Sequence, residues 1–378
     1  MNRIIAFTKD WNDVPTCTTH ILREMGRTMP VLWINSIGMR RPQLSSARDM
    51  RRAFRKLSGA LRPPEHKENH LSVLSPLVLP KADHAAGRAL NRALLRTTVC
   101  RALRHMGDGP IELWTFLPNA VDFLGAFGES KVVYYCVDDW SKFPGIDPDW
   151  INACEHRLLE RAHAVFAASR YLESKCRAVA RDRVHYMSHG VWHSRFATAL
   201  QPDLRLPADL AALPTPRIGY YGNVHDWVDF ELLAKLAEIR PQWSFVLIGP
   251  AYCDVSPMRR HANIHLLGRR EPDQLPAYCK GFDVALIPYR LSDPRMESVN
   301  PVKLRELLAA GVPVVASDIP EVRGVSRFIR PARTVEEFLN GMETFLHAGF
   351  RREEISAERR ADDWPLRVRE IRRIVEAQ

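Results

Sequence analysis

The chain has 378 residues, 46% of them apolar and 26% charged, with a formal net charge of +10. That length exceeds what one hydrophobic core supports, roughly 250–300 residues, so two domains are expected. No apolar run reaches the roughly 18 residues of a membrane span. The seven cysteines form no CxxC or Cys/His pattern, and MNRIIAFTKDW turns polar too soon for a signal peptide. Reduced thiols in a cytoplasm are therefore expected, not disulfides or zinc.

In chain order, short apolar runs alternate with helical patterns. The first half offers strand candidates IIAFT (4–8), VLWINS (31–36), LSVLSPLVL (71–79), IELWTF (111–116), VVYYCV (132–137), AVFAAS (164–169) and VHYMS (184–188). The second half offers RIGYYG (217–222), SFVLIGP (244–250), NIHLLG (263–268), DVALIPY (283–289) and VPVVAS (312–317). Buried, non-alternating strands separated by helices argue for parallel sheets covered on both faces. LQPDLRLPADLAALPTP (200–216) holds four prolines and reads as an interdomain linker. The expected architecture is α/β, with two doubly wound Rossmann-like domains over residues 1–205 and 206–357. A final amphipathic helix within 358–378 is expected to pack back toward the first domain. Two such domains facing each other would hold a ligand at the carboxyl ends of their strands.

The positive charge is concentrated. Residues 39–67 contain nine Lys or Arg against two acids, Asp49 and Glu65. Within them, SSARDMRRAFRKLSGAL (45–61) places Ala47, Met50, Phe54, Leu57 and Leu61 on one helical face, with Arg51, Arg52, Arg55 and Lys56 elsewhere. A basic amphipathic helix suits an anionic membrane surface, although a solvated domain helix has the same pattern. The stretch has one aromatic, Phe54, and no nucleic-acid module, so nucleic acid is not the expected partner.

VNPVKLRELLAAGVPVVAS (299–317) carries the clearest site signal. Lys303 and Glu306 are three apart on a helix that Pro301 opens and Gly311 stops. They lie on one side, just ahead of a buried strand. An ordinary surface ion pair would look the same in isolation. Elsewhere, Asp138 and Asp139 directly follow VVYYCV, where a carboxylate opens onto the end of the sheet. Either is a candidate general base, Asp139 slightly preferred, or a turn cap. Gly222 and Asn223 end the first strand of the second half, and a glycine there admits close backbone approach to a phosphate. Asp13 and Thr16 follow the first strand of the chain and suit either a sugar or phosphate or a helix cap. No spaced acidic pair of the DxD kind ends a strand of the second half, and no metal is expected.

RIGYYGN (217–223), WSFVLIGP (243–250), NIHLLGRREPDQLPAYCKGFDVALIPY (263–289) and NPVKLRELLAAGVPVVASDIPEVR (300–323) occur in this order. Together with looser matches at VVYYCVDDWSKFPG (132–145) and VHYMSHGVWHSRF (184–196), they resemble GT-B glycosyltransferases of the family 1/family 4 superfamily, in particular bacterial enzymes of surface polysaccharide synthesis. The resemblance implies that Glu306 binds ribose hydroxyls and that Lys303 and the helix start near Asn300 lie toward a diphosphate. It places Gly222 and Asn223 at that diphosphate, and Arg269, Glu271 and Tyr289 near the base. Many retaining members carry a first glutamate eight residues before the second. Here that position is Ser298, and Glu297 is one residue early, either on the donor sugar or solvated. The implied reaction moves a sugar from a nucleoside diphosphate, UDP by expectation, to a lipid-linked saccharide. No cofactor beyond the nucleotide-sugar substrate is expected. A nucleotide-sugar 2-epimerase and a catalytically degenerate assembly partner share the same architecture.

Overall fold

The computed structural model describes residues 1–39, 63–78 and 85–378. The helix expected over 45–61, with Arg51, Arg52, Arg55 and Lys56, lies outside the described residues. The chain divides into two compact units. One is residues 1–188 together with 368–378, and the other is residues 189–367.

The first unit contains an eight-stranded sheet of order β3-β4-β2-β1-β5-β6-β7-β8. Its strands are β1 (Arg3–Phe7), β2 (Val31–Ile34), β3 (Glu65–Glu68), β4 (Leu71–Leu74), β5 (Ile111–Thr115), β6 (Lys131–Cys136), β7 (Ala164–Ala167) and β8 (Val184–Tyr186). All neighbours pair in parallel except β3 with β4. The helices are α1 (Cys17–Met25), α2 (Ala85–Leu103), α3 (Pro148–Arg161) and α4 (Arg170–Ala180). β5 is buried at every position, as expected of a central strand covered on both faces. Ser169 starts α4 by accepting the Leu172 N–H at 3.3 Å, and Asp147 does the same for α3 through Trp150.

The second unit has six parallel strands in the order β11-β10-β9-β12-β13-β14. These are β9 (Arg217–Tyr221), β10 (Ser244–Ile248), β11 (Ile264–Gly268), β12 (Val284–Ile287), β13 (Val314–Ser317) and β14 (Ile329–Ala332). Counted within the unit, that is the 3-2-1-4-5-6 order of a doubly wound dinucleotide fold. The order reverses between β9 and β12, so their carboxyl ends frame the crevice where such sheets bind ligands. Helices of this unit are α5 (His193–Phe196), α6 (Ala208–Ala211), α7 (Phe230–Ile239), α8 (Leu275–Lys280), α9 (Val302–Ala309), α10 (Val335–His347) and α11 (Arg352–Ala357). α12 (Trp364–Ala377) begins here and ends in the first unit.

Two strands depart from the sequence reading. β3 is EHKE, polar throughout, and pairs at the sheet edge through a tight turn at Asn69, whose φ is 47°. β14 is IRPA, and its proline is tolerated because β14 is also an edge. The proline-rich 200–216 stretch lies within the second unit and is tied down there. Asp209 pairs with Arg270 at 2.6 Å, and Lys280 donates to the carbonyls of Gln201, Pro202 and Leu204.

The end of α12 is fastened by a buried charge. Glu112 on β5 is 1% exposed and accepts from Arg372 Nη2 at 3.0 Å, Trp114 Nε1 at 2.9 Å and Asn2 Nδ2 at 2.7 Å. Burial opposes ionisation of Glu112, but the bonds from Arg372, Trp114 and Asn2 outweigh it and hold its pKa below the usual value. Removing one partner of such a pair strands a buried charge. Arg372→Ala is expected to destabilise the first unit by about 3–5 kcal/mol in denaturant unfolding. A loss under about 1 kcal/mol would show that the fastening is dispensable.

Candidate functional site

The carboxyl ends of β9 and β10 come unusually close. Gly249 has φ 144°, and a Cβ there would lie 1.9 Å from the Gly222 carbonyl oxygen. Gly222 has φ 131°, and its Cβ would lie 2.3 Å from Lys303 Nζ. Gly249 has no room for a side chain against that backbone, and the positive φ at Gly222 strains any other residue there. α9 then brings Lys303 over Gly222 and Glu306 to the Tyr221 side chain at the end of β9. Lys303 Nζ donates to the Tyr220 hydroxyl at 3.0 Å and lies 4.1 Å from that ring and 5.4 Å from the Tyr289 ring. The Tyr220 hydroxyl in turn donates to the Asn223 carbonyl at 2.8 Å. Glu306 Oε2 accepts from the Tyr221 hydroxyl at 2.8 Å.

These two charges are poorly compensated. Desolvation pulls the Lys303 ammonium down to about 7, and the nearby Glu306 only partly offsets it. Desolvation raises the Glu306 pKa, opposed by the Tyr221 hydrogen bond, Arg195 and Lys303. Each side chain keeps partial solvent access. A half-open cation and carboxylate at the switch point of a doubly wound sheet suit a ligand with a diphosphate and a diol.

Other expected donor residues fall differently. Asn300 is buried, and its side chain is consumed by Arg305 at 2.9 Å and Glu321 at 3.2 Å, so its role here is to shape the α9 entry. Tyr289 is 7% exposed and follows β12 beside Lys303, as part of the floor. Arg269 and Glu271 are exposed and 3.8 Å apart, an arrangement that contributes little on its own. Glu297 is exposed at the end of a single turn, Pro294–Glu297. Arg295, not singled out in the sequence, is 8% exposed there, held by Asp293 and Asp226 and stacked 5.1 Å from Trp227.

In the first unit the preference for Asp139 is corrected. Asp139 is 2% exposed and fully engaged. Its carboxylate accepts from Lys175 at 2.8 Å, Ser141 at 2.7 Å and Tyr171 at 3.2 Å. Burial opposes its charge, but Lys175 and Ser141 hold its pKa below the usual range. Lys175 also binds Glu155 at 2.8 Å, which in turn accepts from Tyr134 at 2.6 Å. A carboxylate so stabilised is a weak base. Asp138 is half-buried and lies within electrostatic reach of Cys17 at the start of α1. Thr16 and Thr19 form a reciprocal cap on α1, and Asp13 is exposed in the preceding loop. Desolvation draws the adjacent Lys9 down to about 8.

Among the described residues no group of three or more His, Cys, Asp or Glu is arranged to hold a metal, and no helix is long and apolar enough to cross a membrane.

Residues 215–348, the sheet that carries this site, match the family described as glycosyl transferases group 1. A Bacillus subtilis (strain 168) protein described as the putative teichuronic acid biosynthesis glycosyltransferase TuaH is 28% identical over 224 residues. That match covers 55% of this chain and 55% of the relative, so the chain spans about half the length of the curated relative it matches. Anabaena Alr3699/HepE, solved in complex with UDP, superposes with a TM-score of 0.65 at 13% identity over 100% of both chains. The trehalose-6-phosphate synthase OtsA superposes with a TM-score of 0.67 at 12% identity over 100% of this chain and 99% of that one. At these identities the structural likeness shows the fold, which is GT-B, as expected. The resemblance to glycosyltransferases read from the sequence is borne out by the family match over 215–348 and the Bacillus relative together with that fold.

The assignment of Asp139 to structure has a measurable consequence. Asp139→Asn should cost about 2–3 kcal/mol at pH 7 by weakening its bonds to Lys175, Ser141 and Tyr171. Because the folded pKa of Asp139 is depressed, its stabilisation is present above the unfolded value of about 3.9 and fades as pH falls through the folded one. Urea titrations should show the gap between mutant and wild type closing below about pH 4. Equal stability at pH 7 would remove the structural assignment.

Proposed function

We propose that the chain is a glycosyltransferase that takes a sugar from a UDP-sugar and passes it to a saccharide acceptor in surface polysaccharide synthesis. The observation that carries this reading is the placement of Lys303 against Gly222 and of Glu306 against Tyr221, at the end of β9. The match to group 1 glycosyl transferases, the printed role of the Bacillus relative and the UDP bound by the Anabaena neighbour support it. Glu306 would accept two ribose hydroxyls, and Lys303 with the backbone at Gly222 would neutralise the diphosphate as it leaves. Asp138 is the proposed base that takes the acceptor proton in an inverting transfer. The basic stretch 39–67 motivates a lipid-linked acceptor at an anionic membrane surface.

Glu306→Ala should weaken UDP binding by about 2–4 kcal/mol while leaving the melting temperature nearly unchanged. Calorimetry showing wild-type affinity in this mutant would sink the nucleotide reading. Product analysis in the absence of acceptor separates transfer from epimerisation of the donor sugar.

The pH dependence of UDP affinity should have two limbs. On the acid side affinity falls as Glu306 takes up a proton, a step its raised pKa brings nearer to neutrality. On the alkaline side it falls as pH rises past about 7, where free Lys303 loses its ammonium. Above that point binding should take up about one proton, read as a buffer-dependent heat. A binding heat at pH 8 that is the same in all buffers would contradict the role of Lys303.

Asp138→Asn should depress turnover by roughly 10²–10⁴-fold with UDP affinity within about threefold. Near wild-type transfer would move the base elsewhere and favour a retaining mechanism.

A further inference from the structure

The segment that leaves β9, residues 223–228, is pinned on both sides. Val224 bridges to Ala251 after β10, and Val228 bridges to Tyr289 after β12. The Tyr252 N–H donates to the Val224 carbonyl at 2.9 Å, and the Arg290 N–H donates to the Trp227 carbonyl at 2.8 Å. Between the pins the Trp227 and His225 rings stack at 4.0 Å with 4° between their planes. The exposed Tyr252 ring lies 6.1 Å from His225. Arg295, in the turn Pro294–Glu297 ahead of α9, reaches the same segment. Its guanidinium lies 5.1 Å from the Trp227 ring, and its Nη2 donates to Asp226 Oδ1 at 3.1 Å.

The polar atoms of this strap are only half used. Asp226 Oδ1 takes both Arg295 and His225 Nδ1, and the Asp226 N–H lies 2.8 Å from that same Nδ1. Among the described residues, Asp226 Oδ2 and His225 Nε2 carry no hydrogen bond. The Asp226 side chain is 55% exposed. Its slight burial opposes ionisation, but His225 and Arg295 outweigh that and hold its pKa below the usual value. A carboxylate oxygen and an imidazole nitrogen on a fixed backbone suit neighbouring hydroxyls, which donate to the first and exchange a hydrogen bond with the second. An exposed ion pair alone adds little to a fold.

The place of the strap follows from α9. In the nucleotide reading Glu306 meets the ribose, and Lys303, three residues earlier, meets the diphosphate. The nucleotide therefore points toward the start of α9, where the turn that carries Arg295 precedes the helix. Tyr289, bridged to Val228, lies 5.4 Å from Lys303 Nζ, so one pin of the strap stands beside the diphosphate position. The sugar is attached beyond the second phosphate. We propose that Asp226 and His225 recognise hydroxyls of the transferred sugar and so select it, held in place by Trp227, Tyr252 and Arg295. The proposal rests on the nucleotide reading above and adds the groups that choose among sugars.

The test is calorimetry of the full chain with UDP and with UDP-glucose, UDP-galactose, UDP-N-acetylglucosamine, UDP-N-acetylgalactosamine and UDP-glucuronic acid. Wild type should bind its preferred UDP-sugar at least about tenfold more tightly than the weakest of the five. Asp226→Asn keeps the shape and removes the charge, and His225→Phe keeps a ring against Trp227 and removes Nε2. Each variant should bind UDP within about threefold of wild type, while the spread among the five sugars shrinks to within about threefold. An unchanged spread in either folded variant overturns the proposal. An equal loss for UDP and all five sugars also overturns it, since the strap would then serve the diphosphate. So does a wild type that binds the five alike. If wild type binds neither UDP nor any UDP-sugar, the nucleotide reading has failed and the proposal falls with it. Should Asp226→Asn not fold by thermal melting, His225→Phe decides.

Discussion

The candidate site depends on two side chains that are not there. β9 and β10 end in glycines whose backbones approach one another so closely that a single methyl group at either would collide with a carbonyl or with the lysine above. This brings the floor of the crevice within reach of α9. It also leaves Gly222 and the residues after it in contact with whatever occupies the space next to Lys303. Backbone approach of this kind is how doubly wound sheets accommodate phosphates, since amides replace water without adding bulk.

Buried charge is handled in opposite ways in the two units. Asp139, Lys175, Glu155 and Tyr134 form a closed network in which the Asp139 carboxylate and the Lys175 ammonium are each stabilised in the charged form. Glu112 and Arg372 follow the same logic. Around α9 the opposite holds, with the lysine pushed down and the glutamate pushed up, each toward neutrality. Networks of the first kind hold a fold together; groups shifted toward neutrality in this way are characteristic of functional sites. This contrast separates Asp139 from Glu306 more clearly than their similar placements after or before buried strands.

Much of the second unit was legible in the sequence. Its strands are continuous apolar runs, and Lys303 and Glu306 announce themselves by spacing on a helix with clear ends. What was hidden lay in partners far along the chain. Tyr221 reaches Glu306 across 85 residues, Lys175 reaches Asp139 across 36 and Arg372 reaches Glu112 across 260. No local pattern records such pairs, so Asp139 read as a candidate base or a turn cap. β3 and β14 were missed for a related reason. Edge strands need only one partner and one covered face, so they escape the apolar signature that central strands must carry.

The division of α12 between the units has a temporal side. Residues 1–188 are synthesised 179 residues ahead of 368–378, which complete the same unit. At about 5–20 residues per second the gap is on the order of 10–40 s. During that interval β5 carries the Glu112 carboxylate without Arg372, and Lys131 lacks the Val375 carbonyl it binds in the finished protein. The nascent first unit thus waits with an uncompensated charge near its centre while the second unit, continuous in sequence, forms. The order of completion is inverted relative to the order of synthesis, and α12 closes the unit whose strands precede the second unit in sequence.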